Sequence, residues 1–117
     1  MSFDVSLVDV ETGNPVSVER HEEGGTYAVG GIELARLNIT YNYSVLYYRH
    51  ICPLRGLRCL DGLEAKRAIQ VLQLAISQLK TDRVDDYWEP TEGNARHALT
   101  ILLEWALSNP DAKFKVR

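Results

Sequence analysis

No apolar run in the sequence is longer than a few residues, so no segment approaches the roughly 20 apolar residues a membrane-spanning helix needs. Basic charge is also short: 13 Lys+Arg against 16 Asp+Glu gives a formal charge of −3, which argues against a dedicated binder of long nucleic acid. Cysteine is nearly absent. Cys52 and Cys59, with six residues between them, match neither a zinc knuckle nor a thioredoxin-type pair, and in a reducing compartment two free thiols are expected. The opening Met-Ser-Phe-Asp-Val has no basic or apolar leader pattern, so no secretory signal is expected and the cytoplasm is the expected compartment. Catalytic motifs are missing too. His21, His50 and His97 are scattered, with no HExxH, no GxSxG and no metal-ligand spacing, and Asp85-Asp86 is a weak cation signal. A non-catalytic protein with no metal and no cofactor is the expectation.

What is present is enough for one folded domain over residues 1–117, at 45% hydrophobic and 25% charged. A chain of this length buries about two-thirds of its unfolded surface and needs no staple to fold. Phe3, Val5 and Leu7 alternate with Asp4 and Ser6, the two-residue period of a half-buried strand over Phe3 to Val10. Thr12-Gly-Asn-Pro15 is turn chemistry, and Val16 to Glu19 alternates again, which suggests a hairpin. Gly24-Gly25 and Gly30-Gly31 bracket Thr26-Tyr-Ala-Val29, the best lid or hinge candidate. β-Formers from Glu33 to Tyr43 predict a further strand.

From Ser44 the pattern turns helical. Val45 to Ile51 predicts a short helix with Ser44 or Asn42 as N-cap and Pro53 as stop. Asp61-Gly-Leu-Glu64 approximates a capping box before a long helix carrying Ala65, Ala68, Ile69, Leu72, Ala75, Ile76 and Leu79 on one face. A polar, acidic stretch from Thr81 to Thr91 precedes a second long amphipathic helix ended by Asn109-Pro110, and Lys113 to Val116 alternates as a last strand. The order predicts an α+β domain: a small, mostly antiparallel sheet, two long helices packed on one face of it, and a short connecting helix.

Three constellations can carry binding. In an extended chain Asn38, Thr40, Asn42 and Ser44 form one polar row with Ile39, Tyr41 and Tyr43 opposite, able to read the edge of a base, ribose or peptide; helix capping is the alternative. Arg49, Arg55 and Arg58, with Lys66 and Arg67, offer forks for phosphate beside Tyr43, Tyr47 and Tyr48 rings that can stack a base. Asp85 to Asn94 holds the pair Tyr87-Trp88 in an acidic loop, where the amides opening the last helix can bind an anion; the alternative has Trp88 plugging the core and Thr91 or Asn94 capping the helix. The candidate ligand-binding residues are therefore Asn38, Thr40, Asn42, Tyr43, Arg49, Trp88, Thr91 and Asn94. Charge is segregated behind the small total, with acids crowding residues 3–23 and 82–92 and bases crowding 49–67, so a small anion remains a possible ligand.

The motifs Thr26-Tyr-Ala-Val-Gly-Gly31, Leu37-Asn-Ile-Thr-Tyr-Asn-Tyr-Ser44 and Asp86-Tyr-Trp-Glu-Pro-Thr-Glu-Gly-Asn-Ala95, with the opening strand and an Asn-Pro-Asp ending, resemble a family of small proteins encoded by tailed bacteriophages and prophages. The likeness spans nearly the whole chain. It implies a genomic setting and no catalytic roles. By analogy with other small acidic phage proteins, the expectation is an accessory factor in the host cytoplasm, a homo-oligomer that sequesters a small nucleotide-type signal of bacterial defence. The alternatives are an inhibitor that occludes a defence nuclease or effector through an acidic, phosphate-like surface, and an enzyme that degrades the signal.

Overall fold

The computed structural model describes residues 2–22, 24 and 31–117. Among the described residues five strands and three helices follow one another: β1 (Ser2–Val8), β2 (Ser17–His21), β3 (Ile32–Leu34), β4 (Arg36–Thr40), α1 (Ser44–His50), α2 (Ala65–Gln78), α3 (Glu92–Ser108) and β5 (Lys113–Val116). Tight 3-10 turns occupy Tyr41–Tyr43 and Gly56–Leu60. The main sheet has the order β4-β1-β5, antiparallel throughout, with Phe3 opposite Ile39, Val5 opposite Leu37 and Val116, and Leu7 opposite Phe114. These side chains all point to one face and are buried there, as the period of two requires. The long helices α2 and α3 pack against each other and enclose that face, burying Leu72, Ala75, Leu99, Leu102 and Trp105. The fold is the expected small α+β domain. Each fully buried Leu, Ile or Phe contributes on the order of 1.5–3 kcal/mol, so truncating a central one such as Leu72 removes a large part of the net stability.

Several local expectations need correction. β2 pairs with β3 in a second, two-stranded sheet; the Val8–Pro15 bridge, the hydrogen bond from Val16 N to Leu7 O and Ala35, which accepts from Leu7 N and donates to Val16 O, tie it to β1. The turn before it is built by Asp9, whose Oδ1 accepts from the amides of Glu11 and Thr12 while Gly13 takes a φ of 73°. The strand predicted to run to Tyr43 stops at Thr40, whose hydroxyl accepts from Asn42 N and starts the 3-10 turn. Neither Asn42 nor Ser44 caps α1: Ser44 is its first residue and the N-cap, Tyr43, makes no side-chain cap bond. Nor is there a capping box before α2, because Asp61 instead accepts from Val116 N at 2.9 Å and pairs with Arg117 at 3.6 Å, fastening β5. Cys52 and Cys59 are disulfide-bonded, contrary to two free thiols; the 3-10 turn at Gly56–Leu60 brings their Cα atoms to 6.4 Å. The lid candidate Thr26 to Val29 lies outside the described residues. No helix among the described residues is long and apolar enough to cross a membrane.

Candidate functional site

The motif residues meet where β4 and the following turn face the loop between α2 and α3. Among the described residues β4 pairs with a strand, β1, on one side only. On the other side Tyr87 takes the place of a neighbouring strand: its hydroxyl accepts from Thr40 N at 2.8 Å and donates to Asn38 O at 2.5 Å. Asn42 Nδ2 donates to Trp88 O at 2.8 Å, and the Tyr43 hydroxyl donates to Tyr87 O. Tyr47, one helical turn on, donates to Ala95 O at 3.1 Å. Edge-to-face contacts at 5.8 Å (Tyr43 with Tyr87) and 6.2 Å (Tyr43 with Tyr47) extend the same junction inward. Burial, with the Tyr87 phenol beside it, pushes the Tyr43 hydroxyl well above its ordinary pKa, and burial does the same to Tyr47. Both therefore stay neutral donors.

The loop itself is wound around Asn94. Its Oδ1 accepts from Val84 N at 3.0 Å and its Nδ2 donates to Asp86 O and Glu89 O, both at 2.9 Å. Thr91 is the N-cap of α3 and its Oγ1 accepts from Asn94 N at 3.0 Å. Asp82 Oδ1 accepts from Gly93 N at 3.1 Å, so the anion expected at the start of this helix is supplied by the chain itself. Gly93 has no room for a side chain, since a Cβ would lie 2.2 Å from Arg83 N. Gly24 is equally constrained against β4, with φ at 82° and a built Cβ 2.0 Å from Asn38 O.

Much of what the sequence marked for ligand contact is thus engaged inside the protein. Asn38 turns its amide to Ser2 Oγ at 2.6 Å and Asp4 Oδ1 at 3.0 Å. Thr40 is 1% exposed. With the strand ended at Thr40, Asn42 and Ser44 leave the expected polar row. Trp88 does not plug the core; it is 41% exposed and stands edge-on to Tyr87 at 5.0 Å. The arginines take different surroundings. Arg49 is exposed on the last turn of α1, while Arg58 lies over the rings of Phe3 (4.8 Å) and Tyr41 (5.6 Å). Lys66 and Arg67 pair with Glu64 at 3.4 and 3.5 Å. Tyr43 and Tyr47 are buried and present no face on which a base can stack beside these cations.

A cavity of about 140 Å³ opens beside the junction, and of the candidate residues Asn38, Tyr43 and Asn94 line it. Leu37, Val84, Ala98 and Ile101 supply its apolar wall. On its rim lies a cluster that sequence reasoning missed. Glu22 Oε1 accepts from His97 Nε2 at 2.6 Å and from Arg83 Nη2 at 3.2 Å, each side chain one-third to one-half exposed. His97, scattered from the other histidines in sequence, lies one turn beyond Asn94 on the same helix face, and Arg83 is the lone base among the loop's acids. Those two facts were the available signals. Among the described residues no group of three His, Cys, Asp or Glu is placed to hold a metal ion. Comparison with protein-family models, with curated proteins and with solved structures finds no match to this chain.

Proposed function

We propose that the protein is a non-catalytic binding protein that captures a small nucleotide-type ligand in the cavity between β4, the loop before α3 and α3 itself. The carrying observation is the rim: Glu22, from far away in the chain, meets Arg83 of the loop before α3 and His97 of α3 at an apolar-walled cavity. The junction around Tyr87 and Asn94 supports the same reading, because it holds the cavity walls rigid before a ligand arrives. The phage resemblance gives this capture a use, the removal of a bacterial defence signal in the host cytoplasm. The Cys52–Cys59 bond is the one observation that pulls against that compartment. Exposed Val45, Tyr48 and Leu54 support a homo-oligomer.

The test is a melting-temperature screen of the purified protein against cyclic nucleotide and ADP-ribose-derived signals. A ligand present at ~100 times its Kd adds about 2.7 kcal/mol, or roughly 10 °C for a chain of this size. No shift with any signal at large excess overturns the proposal, and conversion of a bound ligand, recovered after denaturation, overturns its non-catalytic part. Occlusion of a defence protein by the acidic loop is the weaker reading. Asp82, Asp86 and Glu92 each accept a backbone amide of the loop or its flanks, which among the described residues leaves the exposed Asp85 and Glu89, with exposed Trp88, as its acidic face. A complex formed through that face weakens steeply with salt.

A further inference from the structure

Resting on the capture reading, we propose that the cavity takes the uncharged ring of its ligand, a heterocycle or cyclic amide presenting a hydrogen-bond donor beside an acceptor, and leaves any phosphate outside in solvent. Size is the first reason. The cavity is about 140 Å³; an apolar cavity of ~150 Å³ takes one benzene ring, whereas a whole drug-sized ligand fills ~300–1,000 Å³.

Spare hydrogen-bonding capacity is the second reason. The Tyr43 hydroxyl and both ends of the Asn94 amide are turned to backbone groups of the protein. Glu22 and Arg83 are different. Among the described residues Glu22 Oε2 and the Nε and Nη1 of Arg83 have no partner, although Glu22 Oε1 and Arg83 Nη2 hold each other. The rim therefore offers one open acceptor beside open donors, the complement of a ring edge with an N–H next to a carbonyl or ring nitrogen. Charge is the third reason. Arg83 and His97 both already hold Glu22 Oε1, and Asp85 also lines the cavity, so a phosphate placed there competes with Glu22 for its basic groups and meets a second carboxylate. The loop's other acids repeat this sign, whereas the cationic groups Arg49 and Arg55 are not among the residues lining the cavity.

The experiment titrates the full chain calorimetrically with two sets of probes. One set is free adenosine, guanosine, uridine, cytidine and nicotinamide; the other is inorganic phosphate, pyrophosphate and ribose 5-phosphate. At least one ring probe should bind, its 5′-monophosphate should match it within about threefold, and the phosphate set should neither bind nor compete. Glu22→Gln should weaken the ring probe by about tenfold or more through loss of a charge-assisted acceptor, at unchanged melting temperature, and Arg83→Lys should weaken it as well. Binding by the phosphate set alone, or a monophosphate more than about tenfold tighter than its nucleoside, overturns this inference and leaves the capture reading standing. Silence from both sets and from whole nucleotides overturns the two together. A ring probe that binds Glu22→Gln as tightly as the natural chain also overturns this inference.

Discussion

Replacing Tyr87 by Phe isolates one oxygen atom. The ring and its contacts with Tyr43 at 5.8 Å and Trp88 at 5.0 Å remain, while the hydroxyl that accepts from Thr40 N and donates to Asn38 O is lost. Thr40 is 1% exposed, so water cannot easily reach its amide once the hydroxyl is gone. A buried backbone group left unpaired costs about 1–3 kcal/mol, and a second, partly accessible one adds to it, so the substitution should cost about 2–4 kcal/mol. For a chain of this length that is a fall of roughly 8–16 °C in melting temperature. Urea unfolding followed by tryptophan fluorescence measures it, with an unchanged m-value showing that the same surface is exposed on unfolding. Tyr48→Phe, at a 41% exposed position, is the control and should be nearly neutral. A loss below ~0.5 kcal/mol for Tyr87→Phe would show that the edge of β4 is satisfied without the hydroxyl and would overturn this role for Tyr87.

Gly24→Ala should destabilise by more than about 2 kcal/mol, since its Cβ must displace the Asn38 carbonyl and its φ of 82° disfavours any side chain; thermal unfolding reads this directly. Asn94→Asp keeps the acceptor for Val84 N but replaces the Nδ2 donor with a carboxylate oxygen facing the carbonyls of Asp86 and Glu89, and should cost about 2–4 kcal/mol with increased protease cleavage in residues 81–91. Tyr43 and Tyr47 should stay protonated at alkaline pH where exposed tyrosines ionise, as ultraviolet difference titration can show. Their folded pKa values lie above the unfolded one, so the stability they contribute is fully present below about pH 10. It is lost as pH rises beyond, at about 1.4 kcal/mol per pH unit for each group.

The sequence was most legible where one physical rule acts alone. Alternation in Phe3, Val5 and Leu7 placed β1, and three- and four-residue spacing in Ala68, Leu72 and Ala75 placed α2, because burial of one face decides both. It was misleading where two rules compete. Tyr41 and Tyr43 favour a strand by propensity, but Thr40 ends the strand by accepting from Asn42 N, and Tyr43 and Tyr47 then turn into the core. The polar motif residues were visible as unexplained by packing. Their partners were not, because Tyr87 lies 47 residues from Thr40 and its hydroxyl stands in for a strand that no pattern announces. The Glu22–His97 contact spans 75 residues and exists only through the packing of the segment after β2 against α3. The arginine run failed for the converse reason: neighbours in sequence, Arg49 and Arg58 take different surroundings, one in solvent and one against Phe3.

The proposed ligand site is the rim of Glu22, Arg83 and His97, held by the junction around Tyr87 and Asn94. The most direct measurement is a crystal structure of the full chain grown with the tightest-binding nucleoside. Ring density is expected against Val84 and Ala98 with its polar edge on Glu22 and Arg83, and the Tyr87 and Asn94 hydrogen bonds unchanged. Ring density on the surface around Arg49 and Arg55, or a cavity left empty by a nucleoside that binds in solution, would contradict it.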